Sequence, residues 1–99
     1  MSPGAPAADA ASAAAAAVSV TAVVVTFDRR ELLAEALAAL AAQQRAPDRI
    51  IVVDNASGDG TAAMVRDRFP GVDLLELPRN IGGAGGFSAG TARALAGGP

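Results

Sequence analysis

The chain has 99 residues, a net charge of −2, and no cysteine or histidine. Disulfides, thiolate and imidazole metal sites and a histidine base are therefore excluded. All 8 basic residues are arginines, scattered and without interleaved aromatics, so composition gives little support to nucleic-acid binding.

The opening MSPGAPAADAASAAAAA, residues 1–17, has almost no large apolar side chain to bury and is expected to be a disordered or loosely helical Ala-rich tail. Alanine supplies much of the 52% hydrophobic content, so that figure overstates core-forming power. About 80 residues remain, residues 18–99, which is at most one small domain and marginal for a parallel α/β unit. The apolar run Ala13–Val25 does not read as a signal segment, because no basic residue precedes it and it flows into a charged helix. Ser12, Ser19 and Thr21 also interrupt it before the roughly 18 residues a membrane span needs. The expected location is cytoplasmic, or peripheral at the inner face of the plasma membrane, with no transmembrane segment in this chain.

VSVTAVVVTF, Val18–Phe27, is rich in β-branched residues and predicts a first strand. DRRELLAEALAALAAQQ follows with Leu33, Leu37 and Leu40 at helical spacing, flanked by Leu32 and Ala36. Asp28 with Glu31 has the form of a capping box, which predicts a helix starting at once; Pro47 ends it. RIIVV predicts a second strand, TAAMVRDRF a second helix stopped by Pro70-Gly71, and VDLLEL a third strand ended by Pro78. GGFSAGTARALA, Gly85–Ala96, predicts a third helix weakened by glycine. The fold class is α/β, a Rossmann-like βαβαβα parallel-sheet unit with right-handed crossovers. Its last strand is expected to leave one sheet edge unpaired, which suggests the first part of a larger domain.

Ligands of open parallel sheets bind beyond the carboxyl ends of the strands. Three polar clusters fall there: TFDR (Thr26–Arg29), DNASGDG (Asp54–Gly60) and PRNIGGAGG (Pro78–Gly86). Each has a plain structural explanation. Asp28 and Asp59 suit helix caps, Asp54 suits loop amides, the glycines suit a turn, and Arg29 and Arg30 suit a solvated surface. Several ligand chemistries can be dismissed. The first turn has no glycine, against a dinucleotide fingerprint. A calcium loop framed from Asn55, Ser57 and Asp59 would end on Arg66 where a bidentate glutamate is needed. No lysine is present for a phosphate-binding loop. What survives is a nucleotide site in which Asp54 accepts from a base imide or ribose hydroxyl, and Asn55 and Asn80 donate and accept. Arg29 would neutralise a diphosphate, and Gly82 and Gly83 would let backbone approach the ligand.

AVVVTFDRRELL, PDRIIVVDNASGDGT and LPRNIGGAGGFSAG together resemble family 2 glycosyltransferases of the GT-A fold, over about Val18–Leu95. NIGGAGGFSAG is most similar to the galactofuranosyl- and rhamnosyltransferase-like branch. The resemblance implies the N-terminal, nucleotide-binding half of a GT-A domain. It implies that Thr26 and Phe27 line the base pocket, that Arg29 and Asn55 contact the nucleotide diphosphate-sugar, and that Asp54 lies near the base or ribose. Asn80 and Gly83 would shape the ribose and phosphate side. Where the family more often has asparagine this chain has Asp28, and where it has threonine this chain has Gly58.

The implied partners are a UDP- or dTDP-sugar and a glycan or lipid-linked acceptor. The implied reaction is inverting hexosyl transfer in cell-wall or surface polysaccharide synthesis. The family's divalent cation, Mn or Mg, is held by an acidic D-x-D pair. No acids stand at i and i+2 in this sequence, so the cation is expected only in the full-length enzyme. No residue here is expected to be catalytic or a metal ligand. A non-catalytic nucleotide-binding module and an inactive α/β fragment are the alternatives.

Overall fold

The computed structural model describes residues 19–97. The tail expected over residues 1–17 lies outside the described residues. Strands β1 (Thr21–Thr26), β2 (Arg49–Asp54) and β3 (Asp73–Glu76) alternate with helices α1 (Arg30–Ala42), α2 (Thr61–Arg68) and α3 (Gly82–Gly97). The sheet is parallel, in the order β1-β2-β3. The outer edges of β1 and β3 are both unpaired among the described residues.

β2 reads IIVV because it is covered on both sides, and strand alternation decides which side chain meets which cover. Val52 joins Leu33, Ala34 and Leu37 of α1 and Met64 and Val65 of α2 in one buried cluster, with Val24, Ile50 and Leu74 packed against it. Ile51 and Val53 are fully buried on the other side. There α3 lies against β1 and β2, with Gly90 over Val23 and Val53 and Gly86 over Val25. Leu32 flanks the helical stripe as expected but is 55% exposed, at the free edge of β1.

Two ends of the sheet do different work. At the amino end, Asp73 at the start of β3 accepts from Arg49 Nη2 at 2.7 Å and from Arg93 Nη2 on α3 at 2.8 Å. This ties the two outer elements to the central strand. At the carboxyl end the register sets Thr26 opposite Asp54 and Asp54 opposite Glu76. All three strands therefore stop at one level, and every turn that follows them lies on that edge.

Candidate functional site at the carboxyl edge of the sheet

Asp28 does not cap α1. It has a positive φ of 49°, and the N-cap is Arg29, which makes no side-chain capping bond. The Asp28 carboxylate instead accepts from the Gly58 amide at 2.7 Å, while its own amide donates to Ser57 Oγ at 2.8 Å. Asp59 takes over the capping. One of its oxygens accepts from the Arg30 amide at 3.0 Å, in the first turn of α1. The other accepts from the Thr61 amide at 3.1 Å and from the Thr61 hydroxyl, at the start of α2. One carboxylate thus serves two helix starts, where negative charge also suits both helix dipoles. The Thr61 hydroxyl, with the Arg30 and Thr61 amides, holds the Asp59 carboxyl below its ordinary value.

Asp59→Ala is expected to melt at a lower temperature than wild type. Asp59→Asn should fall between them, since it keeps one acceptor oxygen. Thermal melts followed by circular dichroism rank the three, and equal melting temperatures would remove Asp59 from this role.

These bonds sort the two adjacent arginines. Arg30 is pinned: its Nη1 donates to the Asp59 carbonyl at 3.1 Å and its Nε to Glu31 at 3.2 Å. The Arg29 side chain is exposed and makes no hydrogen bond, ion pair or ring contact among the described residues. Arg79, after β3, is the other arginine in that condition among the described residues. The remaining arginines engage acids, apart from Arg68, which sits over the Phe69 ring at 5.7 Å. Sequence reasoning gave Arg79 no role. Its only signal was its place in the turn between Pro78 and Asn80.

Alternation sends Asp54 and Asn55 to opposite sides of the sheet. Asp54 is 3% exposed, and its Oδ1 accepts from the Ser57 amide at 3.0 Å. No buried side-chain nitrogen or oxygen among the described residues lacks a partner. The second Asp54 oxygen receives no donor from the described residues. Asn55 is 2% exposed and turned toward the start of α3. Its Oδ1 accepts from the Ile81 amide and its Nδ2 donates to the Gly82 carbonyl, each at 3.0 Å. Asn80 Oδ1 accepts from the Gly82 amide at 2.8 Å, and Gly82 has a positive φ of 82°. With these anchors α3 begins at Gly82, three residues before the expected Gly85.

Thr26 is buried, whereas Phe27 is exposed at the tip of the strand. Thr26 and Arg29 line a mostly apolar hollow of about 160 Å³ with Val24, Val25, Leu32, Leu33 and Ala36. A shallower depression of about 340 Å³ adjoins it, lined by Asp28, Arg29, Arg30, Glu31, Leu32 and Asp59. Of the expected site residues, these hollows join Thr26 and Arg29. Asp54, Asn55, Asn80 and Gly83 line neither of them, though they share the same edge. No group of three or more acidic side chains that could hold a metal is found among the described residues. No helix among them is long and apolar enough to cross a membrane.

The parallel βαβαβα unit and its polar carboxyl edge are those of a Rossmann-like α/β protein. Glycosyl transferase family 2 matches residues 21–96, and the chain belongs to that family. It is 48% identical over 77 residues to galactofuranosyltransferase GlfT1 of Mycolicibacterium smegmatis. To the GlfT1 of Mycobacterium tuberculosis it is 49% identical over 81 residues. Each alignment covers 78% of this chain and 26% of the relative, so the chain spans about a quarter of those proteins' length. Among solved structures it is similar to a mannosyltransferase, PcManGT from Pyrobaculum calidifontis, in complex with GDP-Man and Mn2+. That similarity has a TM-score of 0.66 and 30% identity, covering 75% of this chain and 24% of the other.

Proposed function

We propose that this chain is the donor-binding segment of a hexosyltransferase that takes its sugar from a nucleotide diphosphate-sugar. In the complete protein an acceptor hydroxyl, on a glycan or lipid-linked glycan, attacks the anomeric carbon with inversion as the nucleoside diphosphate departs. Cell-wall or surface polysaccharide synthesis is the process this suits, given the similarity to galactofuranosyltransferases. The observation that carries the proposal is the common level at which the strands end: Thr26 and Asp54 stand side by side, and the turns holding Arg29 and Asn80 follow on the same edge.

Each group has a task suited to its surroundings. Arg29 has a guanidinium that no acid among the described residues neutralises, so it is available to a diphosphate. The second oxygen of Asp54 accepts from a base imide, as in uracil or thymine, or from a ribose hydroxyl. Thr26 and Phe27 offer the base their backbone and the Phe27 ring. Gly83 has no atom within 4 Å of where a side chain would begin, so a ligand can approach its backbone closely. Asn80 and Asn55 hold that turn in place. No group of three or more acidic side chains that could hold a divalent cation stands among the described residues. Mn or Mg is proposed for the complete protein alone.

Isothermal calorimetry of the 99-residue chain with UDP, dTDP and GDP, with and without manganese, tests this. Weak binding of a uridine or thymidine nucleotide is expected without metal. Asp54→Ala should weaken it roughly 10- to 100-fold, the range for losing a hydrogen bond to a charged group. Folded protein that binds none of the three at millimolar concentration would refute the proposal.

A further inference from the structure

The geometry points to Asn55 as a positioning residue, which acts on the donor through the Asn80–Gly83 turn and does not touch the donor itself. This rests on the donor-binding function proposed above. The Asn55 amide spans one short stretch of backbone: its oxygen accepts from Ile81 N–H and its nitrogen donates to Gly82 C=O, both at 3.0 Å. It therefore pairs with residues 81 and 82 much as a neighbouring strand's peptide would. Both ends of its amide are occupied by these two backbone groups, and the side chain is 2% exposed. A Cβ built on Gly86 would lie 3.1 Å from Asn55 Nδ2, so the first turns of α3 rest directly on this side chain.

The consequence is a fixed lateral position for the turn that carries Asn80 and Gly83. Asn80 in turn accepts from the Gly82 amide, so the loop side of the site is held from β2 and from within. The chemistry demands an amide. A carboxylate at the same place could accept from Ile81 but would set a second acceptor against the Gly82 carbonyl. An alanine could do neither. A protonated carboxyl group, by contrast, regains a donor.

That difference makes Asn55→Asp a pH-dependent variant, whereas wild type has no titrating group in this contact. Burial beside a carbonyl raises the introduced carboxyl's pKa, which brings its protonation within a usable range. At neutral pH, UDP or dTDP affinity of Asn55→Asp is expected to fall about 10-fold or more, and to recover most of that loss near pH 5. Wild type, titrated over the same range, supplies the reference. Equal loss at both pH values would mark Asn55 as a direct donor contact and overturn the proposal.

A second measurement needs no ligand. In Asn55→Ala, hydrogen exchange at the Ile81 amide should accelerate at least about 10-fold, while the Val53 amide in the core of β2 keeps its protection. Unchanged exchange at Ile81 would also overturn the proposal. Wild-type protein that binds no nucleotide, in the presence of accelerated Ile81 exchange, would instead overturn the donor-binding function and with it the role of Asn55 in donor binding.

Discussion

Gly90→Ala is expected to destabilise the fold by about 1–2 kcal/mol, although alanine is the better helix former. Its Cβ would lie 2.5 Å from Val23 Cγ1 and 2.8 Å from Val53 Cγ2. Carbon atoms settle at about 3.5–4.0 Å, so α3 or the strands must move. Overpacking of this kind costs about 1–3 kcal/mol, of which improved helix propensity returns up to about 1 kcal/mol. In a small domain that is a large share of a net stability of about 5–15 kcal/mol.

Urea unfolding measures the effect, with Gly83→Ala as reference because nothing lies within 4 Å of its would-be side chain. Gly83→Ala should be as stable as wild type or slightly more so. Combining Gly90→Ala with Val23→Ala should return room to the contact, making the double variant more stable than the two single effects predict. Strict additivity would mean that the helix already stands clear of the strand. The prediction bears on function because α3 carries the Asn80–Gly83 turn at its amino end. Its close approach to the sheet is what brings that turn over the end of β2.

Asp73→Ala is expected to cost about 1–2 kcal/mol at neutral pH, by stripping two arginines of their shared acceptor. The Asp73 side chain is 25% exposed, and those of Arg49 and Arg93 are 32% and 42% exposed, which places the effect well below that of a fully buried pair. Hydrogen bonds from Arg93, then from Arg49, hold the Asp73 carboxyl below its ordinary value of 3.8. The unfolded chain thus takes up a proton here at a higher pH than the folded chain does. The stabilisation is fully present above that ordinary value and is lost as pH falls through the lower folded one.

The stability gap between wild type and Asp73→Asn should therefore be widest at neutral pH and shrink on acidification below 3.8. Asp59 is shifted in the same direction, so the variant keeps some acid sensitivity of its own. Chemical denaturation at a series of pH values gives the gap directly. A gap independent of pH would show that the arginines bind Asp73 no better when it is charged. Nucleotide affinity should be little changed, since Asp73 begins its strand and the proposed site lies where the strands end.

The first two strands were legible because VVVT and IIVV are β-branched runs, the third because VDLLEL lies between Pro70-Gly71 and Pro78, and α1 because Leu33 and Leu37 recur at helical spacing. Parallel pairing then followed from the alternation of elements, and with it the gathering of all three polar turns on one edge. The beginning of α3 was not legible. Glycines at 82, 83, 85 and 86 argue against a helix on propensity, yet the close approach of Gly86 and Gly90 to the sheet is what their missing side chains permit. Asp28 misled for a related reason. A capping box is a local rule, and the Gly58 amide, 30 residues away, took the carboxylate that α1 would have used.

From sequence alone came the fold, the family resemblance and the edge on which a ligand would sit, since these depend on patterns within short windows and on the handedness of crossovers. Tertiary structure alone decided what each polar group on that edge is free to do. Asp59 was committed to two helix starts, Arg30 was pinned while Arg29 stayed open, and Asn55 was turned away from Asp54 to hold residues 81 and 82. Hydrogen-bonding capacity is used once, and for Asp28 and Asn55 the partners stand 26 to 30 residues away. Which groups remain for a ligand is therefore settled only when those distant turns meet.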